Sequence, residues 1–377
     1  MDQPVGFEKK GSEHLVCRLH KSLYGLKQAP RAWFDKLKES LIRMGFKFSR
    51  ADNSLFLKIT DNDIIVTGSN REEIEKLITV LNNSFSLKDL GQLNYFLGIE
   101  VKTTAEGLHL SQKRYIKDLL IKSKMDNAKL LPTPMVSSLK LTASDGDPIT
   151  NATEYRSIVR ALQYITITRP EIAFSVNKVC QFMQSPLDEH MKAVKRTLRY
   201  LKGTLDEGIY MKRSQVMNLI GFCDADWGND LCDRRSTTGY CFYLGNNVIS
   251  WSSKKQHVVS RSSTEAKYRS LANATSELLW LQSLLADLKI QVGNIPVLWC
   301  DNISTISLSA NPVLHTRTKH IELDLYFVRE KVIAKEIEVN HVPSVNQVVD
   351  VFTKPLSAQF FQRMKKKLTV TATGEGE

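Results

Sequence analysis

Four acids in the C-terminal part of the sequence have the residue type and setting for phosphodiester chemistry. They stand in Phe222-Cys223-Asp224-Ala225-Asp226-Trp227, Ser263-Thr264-Glu265-Ala266, Trp299-Cys300-Asp301-Asn302 and Gln347-Val348-Val349-Asp350. Apolar runs that read as strands, residues 219–223 and 297–300, lead into Asp224 and Asp301. Glu265 and Asp350 fall at or near the start of helical stretches. Carboxylates at strand ends and in first helical turns are well placed to share metal ions. Two divalent ions about 4 Å apart, beside a phosphodiester that is itself negative, need this many anionic ligands. One ion would lower the pKa of an attacking water, and the other would stabilise the leaving 3′-oxygen. Hard oxygen donors suit Mg²⁺, with Mn²⁺ able to substitute, and the absence of a His or Cys cluster argues against zinc.

Each acid also has a structural alternative. Ser262-x-x-Glu265 is a capping box, in which Glu265 only closes a helix start. Asp301 can end a strand in a turn, and Asp350 gains from the dipole of a helix start. Asp226 competes with Asp224 and points to the same side if the strand continues. His341 precedes Asp350 by nine residues. It alternates with Val339 along a strand, which leaves proton transfer and a structural role both open.

The elements that must position these acids follow in a readable order. After the first strand, residues 238–244 and 248–251 form a hairpin around Gly245-Asn246-Asn247. Residues 265–288 form a long helix with Leu271, Leu278, Leu281 and Leu285 among its apolar positions. A strand at 297–300 leads to a short helix capped by Asn302. A helix at 321–333, a strand at 337–342 and a helix at 345–353 complete the series.

Upstream, Ser111 caps a helix over 112–123, and Leu131-Pro132-Thr133-Pro134 reads as a linker. Helical runs follow at 153–165, 170–183 and 187–202. The last of these carries an apolar stripe (Met191, Val194, Leu198, Leu201) and ends at Gly203. Lys192, Lys195, Arg199 and Lys202 form a second stripe at the same spacing, with Arg196 beside it. That face suits a phosphate backbone, though a solvated basic face has the same pattern. Near the N-terminus Trp33, Phe34, Leu37 and Leu41 mark a core helix stopped by Gly45.

Composition narrows the class. With 377 residues the chain is long for one core and points to about two or three domains. Hydrophobic and charged fractions of 42% and 24% are those of a globular protein. No apolar run of about 18 residues is present, which argues against a membrane span. The first residues lack the pattern of a signal peptide and read like a start within a longer frame. A formal charge of +12 favours a polyanionic partner. Six cysteines without C-x-x-C spacing fit a reducing, intracellular setting, in cytoplasm or nucleus.

Two stretches carry a resemblance. Leu23-Tyr24-Gly25-Leu26-Lys27-Gln28-Ala29-Pro30-Arg31-Ala32-Trp33 and Asn94-Tyr95-Phe96-Leu97-Gly98-Ile99-Glu100-Val101 closely resemble the reverse transcriptase of copia-type retrotransposons. The resemblance continues to about Leu356. It implies an α/β and α+β multidomain chain, a polymerase remnant followed by a ribonuclease H-like domain with a mixed five-stranded sheet. The expected parts are a truncated palm over 1–100, a thumb and connection over 101–213, the ribonuclease H-like domain over 214–356, and a disordered tail over 357–377.

The family's polymerase carries Tyr-Val-Asp-Asp on a tight hairpin. Here the matching residues are Thr60, Asp61, Asn62 and Asp63, so an amide replaces one acid and Thr60 replaces the tyrosine. The strand bearing the remaining metal-binding aspartate should precede residue 1. Polymerisation by two metals needs carboxylates from both segments, so no polymerase activity is expected. Asp61 and Asp63 could hold one cation, but a polar hairpin turn explains them as well.

In the ribonuclease H-like part the resemblance places Asp224, Glu265, Asp301 and Asp350 on the family's metal-binding acids, in the family's order. It also places His341 where related retroviral enzymes keep a mobile histidine. The implied substrate is the RNA strand of an RNA–DNA hybrid, read by its 2′-hydroxyls. Arg234, Arg235, Lys254 and Lys255 are the expected contacts. Lys267 replaces an acid usual in relatives. Being two residues past Glu265, it should point elsewhere on the helix and matter little. Arg160 and Met191 also depart from the family pattern. The alternative is a catalytically inactive, nucleic-acid-binding remnant.

Overall fold

The computed structural model describes residues 29–52, 55–60, 63–65, 72, 75–76, 78–79, 93–136, 138–139, 141–311 and 321–372. Residues 23–28 of the first family-like stretch, Asp61, Asn62 and the greater part of the surrounding polymerase motif lie outside them. Of Asp63 only the backbone is described. Contacts divide the chain into one unit of residues 1–89 with 283–290, and a second of residues 90–282 with 291–377.

The first unit contains helix α1, Ala29–Arg43, and a three-stranded antiparallel sheet. The sheet runs β1 (Lys47–Phe48), β2 (Phe56–Thr60), β3 (Asp63–Ile65), with Thr60 opposite Asp63. α1 ends as expected at Gly45, whose φ of +87° is easily reached only without a Cβ. Phe46 N–H then bonds back to the Leu41 carbonyl at 3.0 Å, and both side chains are buried.

The second unit holds two five-stranded sheets. In one, β8 (Leu219–Asp226), β9 (Thr237–Leu244) and β10 (Asn247–Lys255) form an antiparallel meander. β11 (Val297–Cys300) then pairs parallel to β8, and β12 (Glu338–His341) parallel to β11. This is the expected mixed sheet. The β9–β10 turn uses Gly245 at φ +59°. Parallel neighbours need long crossovers, which helix α6 (Ser263–Asp287) and helices α7 (Ile303–Ala310) and α8 (Glu322–Ile333) supply.

The other sheet was not legible in the sequence. Its order is β13 (Val370–Ala372), β7 (Glu207–Lys212), β6 (Gly107–Ser111), β5 (Ile99–Thr103), β4 (Tyr95–Phe96), all antiparallel. Ser111 therefore ends a strand, and Gln112 occupies the N-cap of helix α2, Lys113–Lys122. Helices α3 (Ala152–Ile165), α4 (Ala173–Cys180) and α5 (Asp188–Gly203) follow. A single 3-10 turn, Pro170–Ile172, replaces the first part of the expected 170–183 helix.

The expected tail is corrected. Residues 358–367 form helix α10 (Ala358–Lys367), and β13 pairs with β7. Phe361, Met364 and Val370 join the same apolar core as Ile116, Leu162, Leu198 and Phe352. Each such side chain contributes about 1.5–3 kcal/mol by leaving water. That shared core also runs across the expected boundary between 213 and 214, and the contact division falls at 89/90 instead of 100/101.

Beneath this core Arg169 is fully buried. It donates to Glu171 Oε1 (2.8 Å), Thr204 O (2.8 Å) and Thr204 Oγ1 (2.7 Å). Glu207 lies 3.3 Å away and is itself paired with Lys365 of α10 at 2.6 Å. Burying an ion pair is tolerable only when hydrogen bonds satisfy the charges, and here a planar guanidinium is met on several sides.

Candidate functional site

Strand register brings two of the acids together. β8 and β11 are parallel, with Cys223 opposite Cys300 and both thiols fully buried. The next residues, Asp224 and Asp301, therefore stand side by side where the strands emerge. Asp224 is 1% exposed. Its Oδ2 accepts a hydrogen bond from Thr353 at 3.0 Å, which ties the short helix α9, Asp350–Thr353, to β8. Gln347 reinforces this by donating to the Cys223 carbonyl at 3.1 Å. Asp350, at the start of α9, is thereby drawn to the same place.

The electrostatics follow from that placement. The Asp350 carboxyl is pushed up to about 6, mainly by burial. Lys354 opposes that rise, while the charges of Asp224 and Asp301 add to it. Asp226 is also raised, mainly by burial. Three of the expected acids, with Asp226 beside them, thus share one region.

Two ammonium groups occupy that region. Lys267 Nζ lies 3.0 Å from Asp224 Oδ1 and 2.6 Å from Asp301 Oδ1. Lys354 Nζ lies 2.8 Å from Asp350 Oδ1. The expectation that Lys267 points elsewhere is overturned. Ser270 explains why: its hydroxyl donates to the Asp224 carbonyl at 2.7 Å, so this face of α6 lies against β8. Lys267 is three residues earlier and shares that face, since helical residues three apart are neighbours.

Glu265 has partners of its own on the helix and just before it. Two residues from Lys267, it is rotated by roughly 200° about the helix axis. Ser262 Oγ accepts from the Glu265 N–H at 3.1 Å, and Glu265 Oε2 accepts from the Arg261 N–H at 2.9 Å. Its Oε1 pairs with Arg269 at 3.0 Å, and Arg269 also approaches Asp324 at 3.8 Å. The helix-capping alternative describes what Glu265 does here.

His341 is the last residue of β12, opposite Cys300 in the parallel pair, and exposed. It lies one strand beyond Asp301, at the same end of the sheet.

The basic residues separate by partner. Arg199 donates to the Lys129 carbonyl at 2.6 Å and Lys202 to the Ala128 carbonyl at 2.8 Å, so both fasten the segment before α3. Arg196 donates to Thr133 at 3.0 Å. Lys192 is paired with Asp188 and Glu189. Lys255 lies 2.9 Å from both Asp230 and Asp233, and Arg235 is 3.5 Å from Asp233. Lys195, Arg234 and Lys254 are exposed. Lys254 borders a cleft of about 500 Å³ that Tyr240, His257, Arg269 and Trp280 also line. Glu277 and Asp324 line the same cleft, so its charge is mixed.

Two ammonium groups stand among the acids where a pair of divalent ions would have to sit. Among the described residues no group of three or more His, Cys, Asp or Glu side chains is arranged to hold a metal. Asp224, Asp301 and Asp350 stand within ion-pair distance of ammonium groups and Glu265 of a guanidinium, while Asp224 Oδ1 and Asp350 Oδ1 are buried without a hydrogen-bond partner. Lys354 was discernible in the sequence as the i+4 partner of Asp350. The signal for Lys267 was its replacement of an acid.

A profile of the reverse transcriptase (RNA-dependent DNA polymerase) family matches residues 1–137. The chain is 47% identical over 380 residues to the retrovirus-related Pol polyprotein from transposon RE2 of Arabidopsis thaliana, covering 98% of this chain and 26% of that one. It therefore spans about a quarter of that relative's length. A transposon Ty5-1 protein of Saccharomyces cerevisiae is 30% identical over 73% of this chain and 94% of its own. Among solved structures, the N-terminal RNase H domain of a Mycobacterium tuberculosis protein, fused to maltose binding protein, aligns over 40% of this chain and 97% of that one. Its sequence identity is 13% and its TM-score 0.27.

Proposed function

The chain belongs to the retrovirus-related Pol polyproteins of copia-type retrotransposons, and on that premise we propose that it is a nucleic-acid-binding Pol fragment whose C-terminal part is a ribonuclease H-like module for RNA–DNA hybrids. The strand order supports the module: an antiparallel meander followed by two parallel strands, with crossover helices. The net charge of +12 supports a polyanionic ligand. The observation that carries binding over cutting in this reading is the Lys267 ammonium between Asp224 and Asp301.

The test is fluorescence anisotropy of a labelled hybrid with the purified chain in EDTA. Binding should be present without divalent ions and should weaken steeply between about 50 and 200 mM salt, as counterion release requires. No binding at the lower salt would refute the proposal. Primer extension by the same preparation should be absent, because Asn62 replaces an acid of the polymerase motif.

A second reading, Mg²⁺-dependent cleavage of the RNA strand, is favoured by the convergence of Asp224, Asp301 and Asp350. Cleavage by the native chain that is lost in Asp301→Asn would establish it over the first.

A further inference from the structure

The acids around Asp224 form a centre with its own cations. Lys267 bridges Asp224 and Asp301, the pair set side by side by the parallel register, and Lys354 neutralises Asp350. Lys267 is not an incidental surface contact. The side chain of Lys267 is 17% exposed, against 2% and 8% for its two partners. Burial alone would disfavour its charge, but Asp224 and Asp301 outweigh burial and hold the ammonium well above the ordinary lysine range.

We propose that Lys267 is the resident cation of this centre: its ammonium takes the place between Asp224 and Asp301 that a divalent ion would need, and the residue at position 267 switches the cluster between refusing and accepting metal. This rests on the ribonuclease H-like reading of the module. The physical case has two parts. Magnesium binds carboxylate oxygens at about 2.1 Å with little tolerance in geometry. An ion on the facing oxygens of Asp224 and Asp301 would be pressed against an ammonium already 2.6–3.0 Å from them. Like charge at that separation, in a site largely closed to solvent, is strongly disfavoured.

The second part is charge. Counting only the ion-paired groups, three carboxylates against two lysines leave one net negative charge, and Asp226 beside them is itself drawn on by Lys354 and Lys178. A glutamate at 267 would leave four carboxylates against Lys354 alone, a net charge of three negative, with the new carboxylate on the face that Ser270 holds against β8. Glu265 cannot serve instead, because its carboxylate is spent on Arg269 and the Arg261 N–H.

The experiment compares the full native chain with Lys267→Glu and Lys267→Gln, using MnCl₂ and MgCl₂ at constant ionic strength. Metal binding is read by calorimetry and by the shift in Tm, and hybrid binding is measured separately in EDTA. The native chain should show no saturable metal binding. Lys267→Glu should bind metal and gain several degrees of Tm on saturation, and Asp301→Asn in that background should abolish the gain. Lys267→Gln, which removes the ammonium and nearly keeps its volume, should bind metal more weakly than Lys267→Glu but measurably.

Saturable Mn²⁺ binding by the native chain that Asp301→Asn abolishes would overturn the proposal. So would a folded Lys267→Glu that binds no metal. If Lys267→Glu does not fold, the native chain and Lys267→Gln still decide. Loss of hybrid binding in EDTA would instead count against the reading of the module, whatever the metal result.

Discussion

The side chains with the largest energetic consequence are those that hold charge out of water. Arg169 is fully buried, with its hydrogen bonds made to Glu171 and Thr204 and with Glu207 at hand. Arg169→Met should lower stability by about 3–5 kcal/mol, because Glu171 would be left buried without its cation. Urea denaturation reads this directly, and a loss below about 1 kcal/mol would mean the network relaxes or hydrates. Asp350 behaves in the opposite sense. Its carboxyl is raised to about 6, so the folded state holds the proton more tightly than the unfolded chain does. Stability from this group is therefore present at acid pH and lost as pH rises through about 6.

Among the elements, α5 depends on a histidine that the sequence did not mark. His190 Nδ1 accepts the Leu187 N–H at 2.9 Å, closing the start of the helix, and Nε2 meets the Thr142 carbonyl at 2.9 Å. The first bond requires an unprotonated Nδ1, so the ring is neutral with its proton on Nε2. Burial, the largest cause, holds its pKa below the ordinary value. The folded pKa lies below the unfolded one, so this contribution is complete above about 6.5 and is lost as pH falls through the folded value. His109, held by burial and bonded to the Thr371 carbonyl at 3.1 Å, acts in the same sense. Between pH 7 and pH 5 the two histidines lower the denaturation midpoint while Asp350 raises it. The contribution of His190 is therefore read as the stability difference between the native chain and His190→Gln, which should shrink as pH falls across that window. An unchanged slope in the variant would rule out His190 as a source.

For the second unit as a whole, the C-terminal segment is structural. β13 completes a sheet begun by β4, β5 and β6, more than 250 residues earlier, and Phe361 and Met364 enter the shared core. Truncation after Leu356 should therefore destabilise the unit by several kcal/mol through exposure of those apolar side chains. A truncated chain with native Tm would contradict that assignment.

What the sequence determined by itself was local or periodic. The glycine turn at 245, the strands leading into Asp224 and Asp301, the apolar stripe of α5 and the Leu-Tyr-Gly-Leu wording of the family need no partner to be recognised. The second sheet escaped because its strands are short and its pairing joins residues near 100, 210 and 370. The division of the basic stripe escaped for the same reason: the carbonyls of Ala128 and Lys129 that engage Lys202 and Arg199 are distant in sequence. Most consequential is the choice between Glu265 and Lys267. A capping pattern fixes where a helix begins but leaves its rotation about its axis free. That rotation was decided by the packing of α6 on β8, where Ser270 bonds the Asp224 carbonyl, and it turned a lysine, in place of the glutamate, toward Asp224 and Asp301.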